Sequence, residues 1–151
     1  MTSIDPFEPG NQRAQIANVL SLYCWAYDLD RLDQVSPCYA RDAEVEFADS
    51  GPRIGPAAIV EELERRRAKY RPSGQIPWHV VTNILIQPDT AESVYVASWY
   101  SFGTMAQGKP MALTSFGRWD DRFVFEDGAW RLAKRRIINL NSPAALEPDP
   151  R

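Results

Sequence analysis

Histidine is almost missing from this 151-residue sequence, which carries one, His79, and cysteine is scarce, with only Cys24 and Cys38. The two cysteines are not set at metal-ligand spacing, and one imidazole cannot complete a typical zinc site with them, so no metal is expected and both thiols are expected to be free. Charge of one sign is lacking too. The formal net charge is -3, and apart from Arg65-Arg66-Arg67 and Lys134-Arg135-Arg136 the basic residues are scattered, which argues against a nucleic-acid partner. No apolar run approaches the roughly 18 residues of a spanning helix, and the opening Met-Thr-Ser-Ile-Asp-Pro lacks the basic and apolar regions of a signal peptide. The expectation is a cytoplasmic protein with no membrane partner. No Gly-x-Gly-x-x-Gly occurs, so hydride transfer on a dinucleotide is set aside and no cofactor is expected.

What is present is ordinary for a globular domain: 44% apolar and 25% charged residues, in a length suited to one core. From Gln12, the residues Ile16, Val19, Leu20, Tyr23 and Tyr27 recur at three and four positions, the stripe of a half-buried helix ending near Asp28. Asp30, three residues before Asp33 and followed by Leu32, Val35 and Tyr39, reads as the N-cap of a short second helix. Val45 and Phe47 alternate with acids in a brief strand before the turn residues Asp49-Ser50-Gly51-Pro52, and Gly55-Pro56 opens a third helix carrying Ile59, Val60, Leu63 and Tyr70.

After Pro72-Ser73-Gly74 the character changes to long β-rich runs, 78–86, 93–102, 111–125 and 130–137, with turns at Pro88-Asp89, Gly108-Lys109-Pro110 and Glu126-Asp127-Gly128. Helices followed by a meander predict an α+β fold, a cone-shaped curved antiparallel sheet wrapped around three N-terminal helices. One domain is expected over 1–151, with a core of about 10–138. The tail 139–151, with three prolines after Asn141, is expected to be an extended flap or a frayed end.

Asp28 borders the buried stripe of the first helix, one turn after Cys24. In the strand that His79 opens, a period of two places His79, Val81, Asn83 and Leu85 on one side. If that side is concave, imidazole and carboxamide enter one pocket, and Tyr23 and Tyr27 can aim phenols at the same space. A carboxylate beside an imidazole fixes its tautomer and stabilises the imidazolium formed when the other nitrogen takes a proton, the equipment of elimination or proton relocation. A lone strand histidine also serves as a satisfied core residue, and an aspartate near a helix end as a cap. The alternating charges Arg118, Asp120, Asp121 and Arg122 read as a solvated face or the lining of a pocket mouth.

Tyr27-Asp28 ending the first helix, Trp78-His79-Val80-Val81-Thr82-Asn83 opening a strand, and Gly117-Arg118-Trp119 leading to Phe125-Glu126-Asp127-Gly128-Ala129-Trp130-Arg131 resemble the SnoaL-like branch of the nuclear-transport-factor-2-like superfamily. Within it, the chain is most similar to the group of scytalone dehydratase, hexachlorocyclohexane dehydrochlorinase and bile-acid 7α-dehydratase. The resemblance implies a cofactor-free barrel with a catalytic Asp28–His79 dyad, assisted by Tyr27 or Tyr23. It departs from scytalone dehydratase in lacking a second histidine. The expected function is a lyase, a dehydratase or related elimination, acting on a hydrophobic cyclic small molecule, with Asn83, Trp99 and Phe116 as substrate-binding candidates. An isomerase or cyclase using the same base is the enzymatic alternative, and a non-catalytic subunit such as an oxygenase β partner the other. A homo-oligomer, a trimer before a dimer, is the expected assembly.

Overall fold

The computed structural model describes residues 5–140; Asn139, expected to begin the tail, instead ends the last strand, and the expected behaviour of the tail from residue 141 lies outside the described residues. Helix α1, Pro9–Asp28, starts with proline at a position whose N–H needs no partner, and Glu8 caps it by accepting from the Asn11 amide at 2.9 Å. Its buried stripe is Ile16, Leu20, Tyr23 and Tyr27. The expected short second helix takes the form of two 3-10 turns, Leu32–Gln34 and Ser36–Cys38. Asp30 caps neither. It sits at φ 60°, just past the end of α1, and its carboxylate receives Arg71 at 2.7 and 2.8 Å. Pro37 inside the segment prevents a continuous α-helical ladder.

Strand β1, Tyr39–Phe47, turns into the short β2, Gly51–Ile54, and α2 follows as Pro56–Arg67. The four long strands are β3, Ile76–Thr90; β4, Ser93–Met105; β5, Ala112–Glu126; and β6, Ala129–Asn139. Asp127 and Gly128, both at positive φ, make the two-residue turn between β5 and β6. The strand after His79 runs through the turn expected at Pro88-Asp89. β3 is an edge strand, where a proline removes no ladder bond that the sheet needs.

The sheet runs β2-β1-β6-β5-β4-β3, curved and unclosed, with β3 and β2 as its edges. It is mixed rather than wholly antiparallel, because β1 lies parallel to β6. Its inner face packs on α1 and α2 through Ile16, Leu20, Ile59, Leu63, Phe123 and Leu132, all buried. Each such side chain contributes about 1.5–3 kcal/mol of burial free energy. Cys24 and Cys38 are unpaired and buried in this core. No described helix is long and apolar enough to cross a membrane.

Candidate active site

Asp28 is the last residue of α1, and His79 lies on the edge strand β3 that packs against that helix. An edge strand leaves alternate N–H groups without a sheet partner. At His79 that vacancy is filled by Asp28, whose Oδ2 accepts the backbone N–H at 2.8 Å while Oδ1 meets His79 Nδ1 at 2.6 Å. One carboxylate thus holds both the main chain and the ring of the histidine. With Nδ1 donating to the carboxylate, the proton-free nitrogen is Nε2, the tautomer a base requires. The His79 side chain is 8% exposed and that of Asp28 16%, and His79 lines a cavity of about 260 Å³.

Aromatic rings surround the imidazole. Phe102 lies 4.7 Å from it between centroids, Tyr27 edge-on at 5.3 Å, and Tyr23 and Trp119 each at 6.0 Å. Burial pushes the Tyr23 phenol up to about 12, against the downward pull of nearby Arg135. Burial likewise raises Tyr27, whose neighbours Tyr23 and Tyr70 add to the effect. Both phenols therefore keep their protons at neutral pH and are available as hydrogen-bond donors.

Two arginines, one from each of the basic triplets in the sequence, support this arrangement. Arg67, at the end of α2, donates to the Tyr27 carbonyl at 3.2 Å and the Asp28 carbonyl at 3.5 Å, satisfying the C-terminus of α1. Arg135 is 1% exposed, pairs with Asp121 through two bonds of 2.7 and 2.8 Å, and lies 3.7 Å from the centroid of Trp119 and 4.9 Å from that of Tyr23. Burial works against its charge, but the Asp121 carboxylate outweighs that and holds the guanidinium above its ordinary pKa. Asp121 is therefore interior, whereas Arg118 pairs with Asp120, and Arg122 with Asp89, away from the cavity. The signal for Asp121 was its place between Trp119 and Phe123 in the inward alternation of β5.

Tyr23, Tyr27, Asp28 and His79 come together; Asn83, Trp99 and Phe116 do not join them. The pairing of β3 with β4 shifts between Thr82 and Leu85, and Asn83 occupies this bulge at φ 52°. The extra residue breaks the period-two alternation, so Asn83 and Leu85 are exposed while Ile84 packs on the core. Asparagine suits the position because it tolerates the left-handed conformation. Trp99 stacks on Phe116 at 5.6 Å, on the opposite face of the sheet from Tyr100 and Trp119, and Phe116 is 40% exposed. The cavity is lined instead by Tyr100, Phe102, Ser115 and Trp119, the residues of opposite parity on β4 and β5, and by Asn139 of β6. Among the described residues no three His, Cys, Asp or Glu side chains converge on a metal position.

A family model for the SnoaL-like domain matches residues 10–136. The chain belongs to the SnoaL-like family. It lies in the nuclear-transport-factor-2-like superfamily, and three solved structures carry this SnoaL-like fold over most of their length. A protein assigned as a scytalone dehydratase from Novosphingobium aromaticivorans is 19% identical, with a TM-score of 0.71 over 85% of this chain and 83% of that one. LinA is 20% identical, with a TM-score of 0.72 over 85% of each chain. ActVI-ORFA from Streptomyces coelicolor is 17% identical, with a TM-score of 0.81 over 89% of this chain and 98% of that one. At such identities the likeness establishes the fold and carries no substrate with it. No functionally curated protein matches the SnoaL-like chain in sequence.

Proposed function

We propose that the protein is a cofactor-independent lyase that eliminates water, or a comparable leaving group, from a hydrophobic cyclic small molecule. The observation that carries this reading is the double contact of Asp28 with the ring and backbone of His79, at the wall of an aromatic cavity. His79 Nε2 takes a proton from carbon, the C–H electron pair becomes the new π bond, and the leaving oxygen departs with its bonding pair. Asp28 stabilises the imidazolium, and Tyr23 or Tyr27 donates a hydrogen bond to the departing oxygen. The abstracted proton and the hydroxide together make up the water released.

Cyclic β-hydroxy ketones test the reading, because dehydration creates a conjugated chromophore. Substituting His79→Ala or Asp28→Asn is expected to slow turnover by about 10²–10⁴-fold while circular dichroism and melting remain near wild type. Undiminished turnover in both variants would remove the dyad from the mechanism. Product mass separates the reactions that share such a base: elimination loses water, and isomerisation leaves the mass unchanged.

A further inference from the structure

Besides the dyad and its tyrosines, the cavity is lined by the charged Asp49, Arg66 and Lys69 and by an uncharged polar cluster that the assignment of His79 as base leaves without a task. Tyr100 of β4, Ser115 of β5 and Asn139 of β6 meet on a wall away from the dyad. The Tyr100 hydroxyl donates to Asn139 Oδ1, the Ser115 hydroxyl donates to the same oxygen at 3.1 Å, and the two hydroxyl oxygens are 3.1 Å apart. Strand register explains the meeting. Tyr100 stands opposite Gly117, and Gly117 opposite Asn139, so no side chain separates the phenol from the carboxamide. A Cβ at Gly117 would also lie 2.1 Å from the Ile138 carbonyl oxygen, which bars any larger residue from that place.

Both hydroxyl protons are used on Asn139 Oδ1, leaving lone pairs on Tyr100 and Ser115 and an Asn139 amide nitrogen without a partner among the described residues. A group that donates to those lone pairs and accepts from that nitrogen completes the set, and a hydroxyl does both whereas a carbonyl or a methyl cannot. His79, Phe102 and Ser115 are neighbours across β3, β4 and β5, so the backbones carrying the two polar poles stand two strand spacings, about 10 Å, apart. With a hydrogen bond at each end, one ring or two fused rings fit between them, against Phe102 and Trp119. We infer that the Tyr100–Ser115–Asn139 cluster is a recognition subsite for an alcoholic or phenolic hydroxyl at the end of the substrate remote from His79. The orientation rests on the proposed role of His79; the subsite itself does not.

Titration calorimetry with 2-naphthol and its methyl isostere, 2-methylnaphthalene, tests the subsite by binding alone. The wild-type chain is expected to prefer 2-naphthol by about tenfold, the equivalent of one net hydrogen bond. Asn139→Leu should reduce that preference to near one, and Tyr100→Phe and Ser115→Ala should each weaken it. The latter two remove a single oxygen and carry the test if Asn139→Leu fails to fold. His79→Ala should retain the preference. Equal affinity for the two probes, no binding of 2-naphthol, a preference unchanged in the cluster variants, or one lost only in His79→Ala would overturn the subsite. Failure of the lyase reading looks different: full turnover in His79→Ala with the naphthol preference intact.

Discussion

At the scale of single residues, the position of Asp28 runs against helix electrostatics. A carboxylate in the last turn faces the negative end of the helix dipole, a placement that costs some tenths of a kcal/mol at an exposed site. Here the two N–H groups of His79 and the guanidinium of Arg67 beside the α1 carbonyls offset it. Arg67 is thus a positioning residue for the dyad. Replacing it by methionine keeps most of the side-chain volume but leaves the Tyr27 and Asp28 carbonyls without their donor. The expected cost is about 1–2 kcal/mol of stability, with kcat falling and KM nearly unchanged as Asp28 loses its fixed aim. A rise in KM alone, in urea-stable protein, would show that Arg67 acts on substrate binding instead.

At the scale of elements, the inner face of the β5–β6 pairing carries a buried ion pair between the apolar pairs Trp119–Ile137 and Phe123–Leu132. Asp121 stands opposite Arg135 in the register, and both side chains are almost fully buried. Removing one partner leaves a buried charge uncompensated, so Asp121→Ala is expected to destabilise the protein by about 3–5 kcal/mol in denaturant unfolding. The double change Asp121→Leu with Arg135→Met should recover a large part of that loss. If the single variant melted within a degree of wild type, the pair would not be holding the two strands together. The bulge in β3 works at the same scale: one inserted residue sends Asn83 outward while leaving His79, at the start of the strand, aimed inward.

At the scale of the molecule, buried ionisable groups bound the pH range of stability on both sides. Glu62 is buried and receives Arg65, Arg66, Arg53 and Ser50, and the Arg65 bonds foremost hold its carboxyl down at about 2, from an ordinary 4.5. A lowered folded-state value stabilises the fold above pH 4.5, and that contribution disappears as pH falls toward 2. Glu62→Gln should therefore cost about 2 kcal/mol at neutral pH, a figure reduced for the solvent-exposed arginine partners, and little near pH 2. On the alkaline side, burial pushes the Cys24 thiol from 9.0 up to about 12 and the Cys38 thiol from 9.0 up to about 11. Raised values stabilise the fold below pH 9 and are lost as pH climbs through 11 to 12. Melting temperature should accordingly decline above pH 9, and less steeply in Cys24→Ala with Cys38→Ala; identical slopes would show that the thiols are not the groups titrating.

The layout of helices followed by a strand meander, and the presence of a carboxylate and an imidazole at the inner ends of two elements, were legible in the chain because they depend on local periodicity and on residue type. The amphipathic stripe of α1 needs only neighbours three and four positions away. Which side of a strand faces the cavity is another matter, since one inserted residue at Asn83 reverses every later side chain, and nothing local fixes the pairing of Trp99 or Phe116. The parallel contact of β1 with β6, the burial of Arg135 on Asp121, and the convergence of Tyr100, Ser115 and Asn139 across three strands were decided by tertiary structure alone. Each joins residues far apart in sequence, so its energy exists only after the register of the whole sheet has been set.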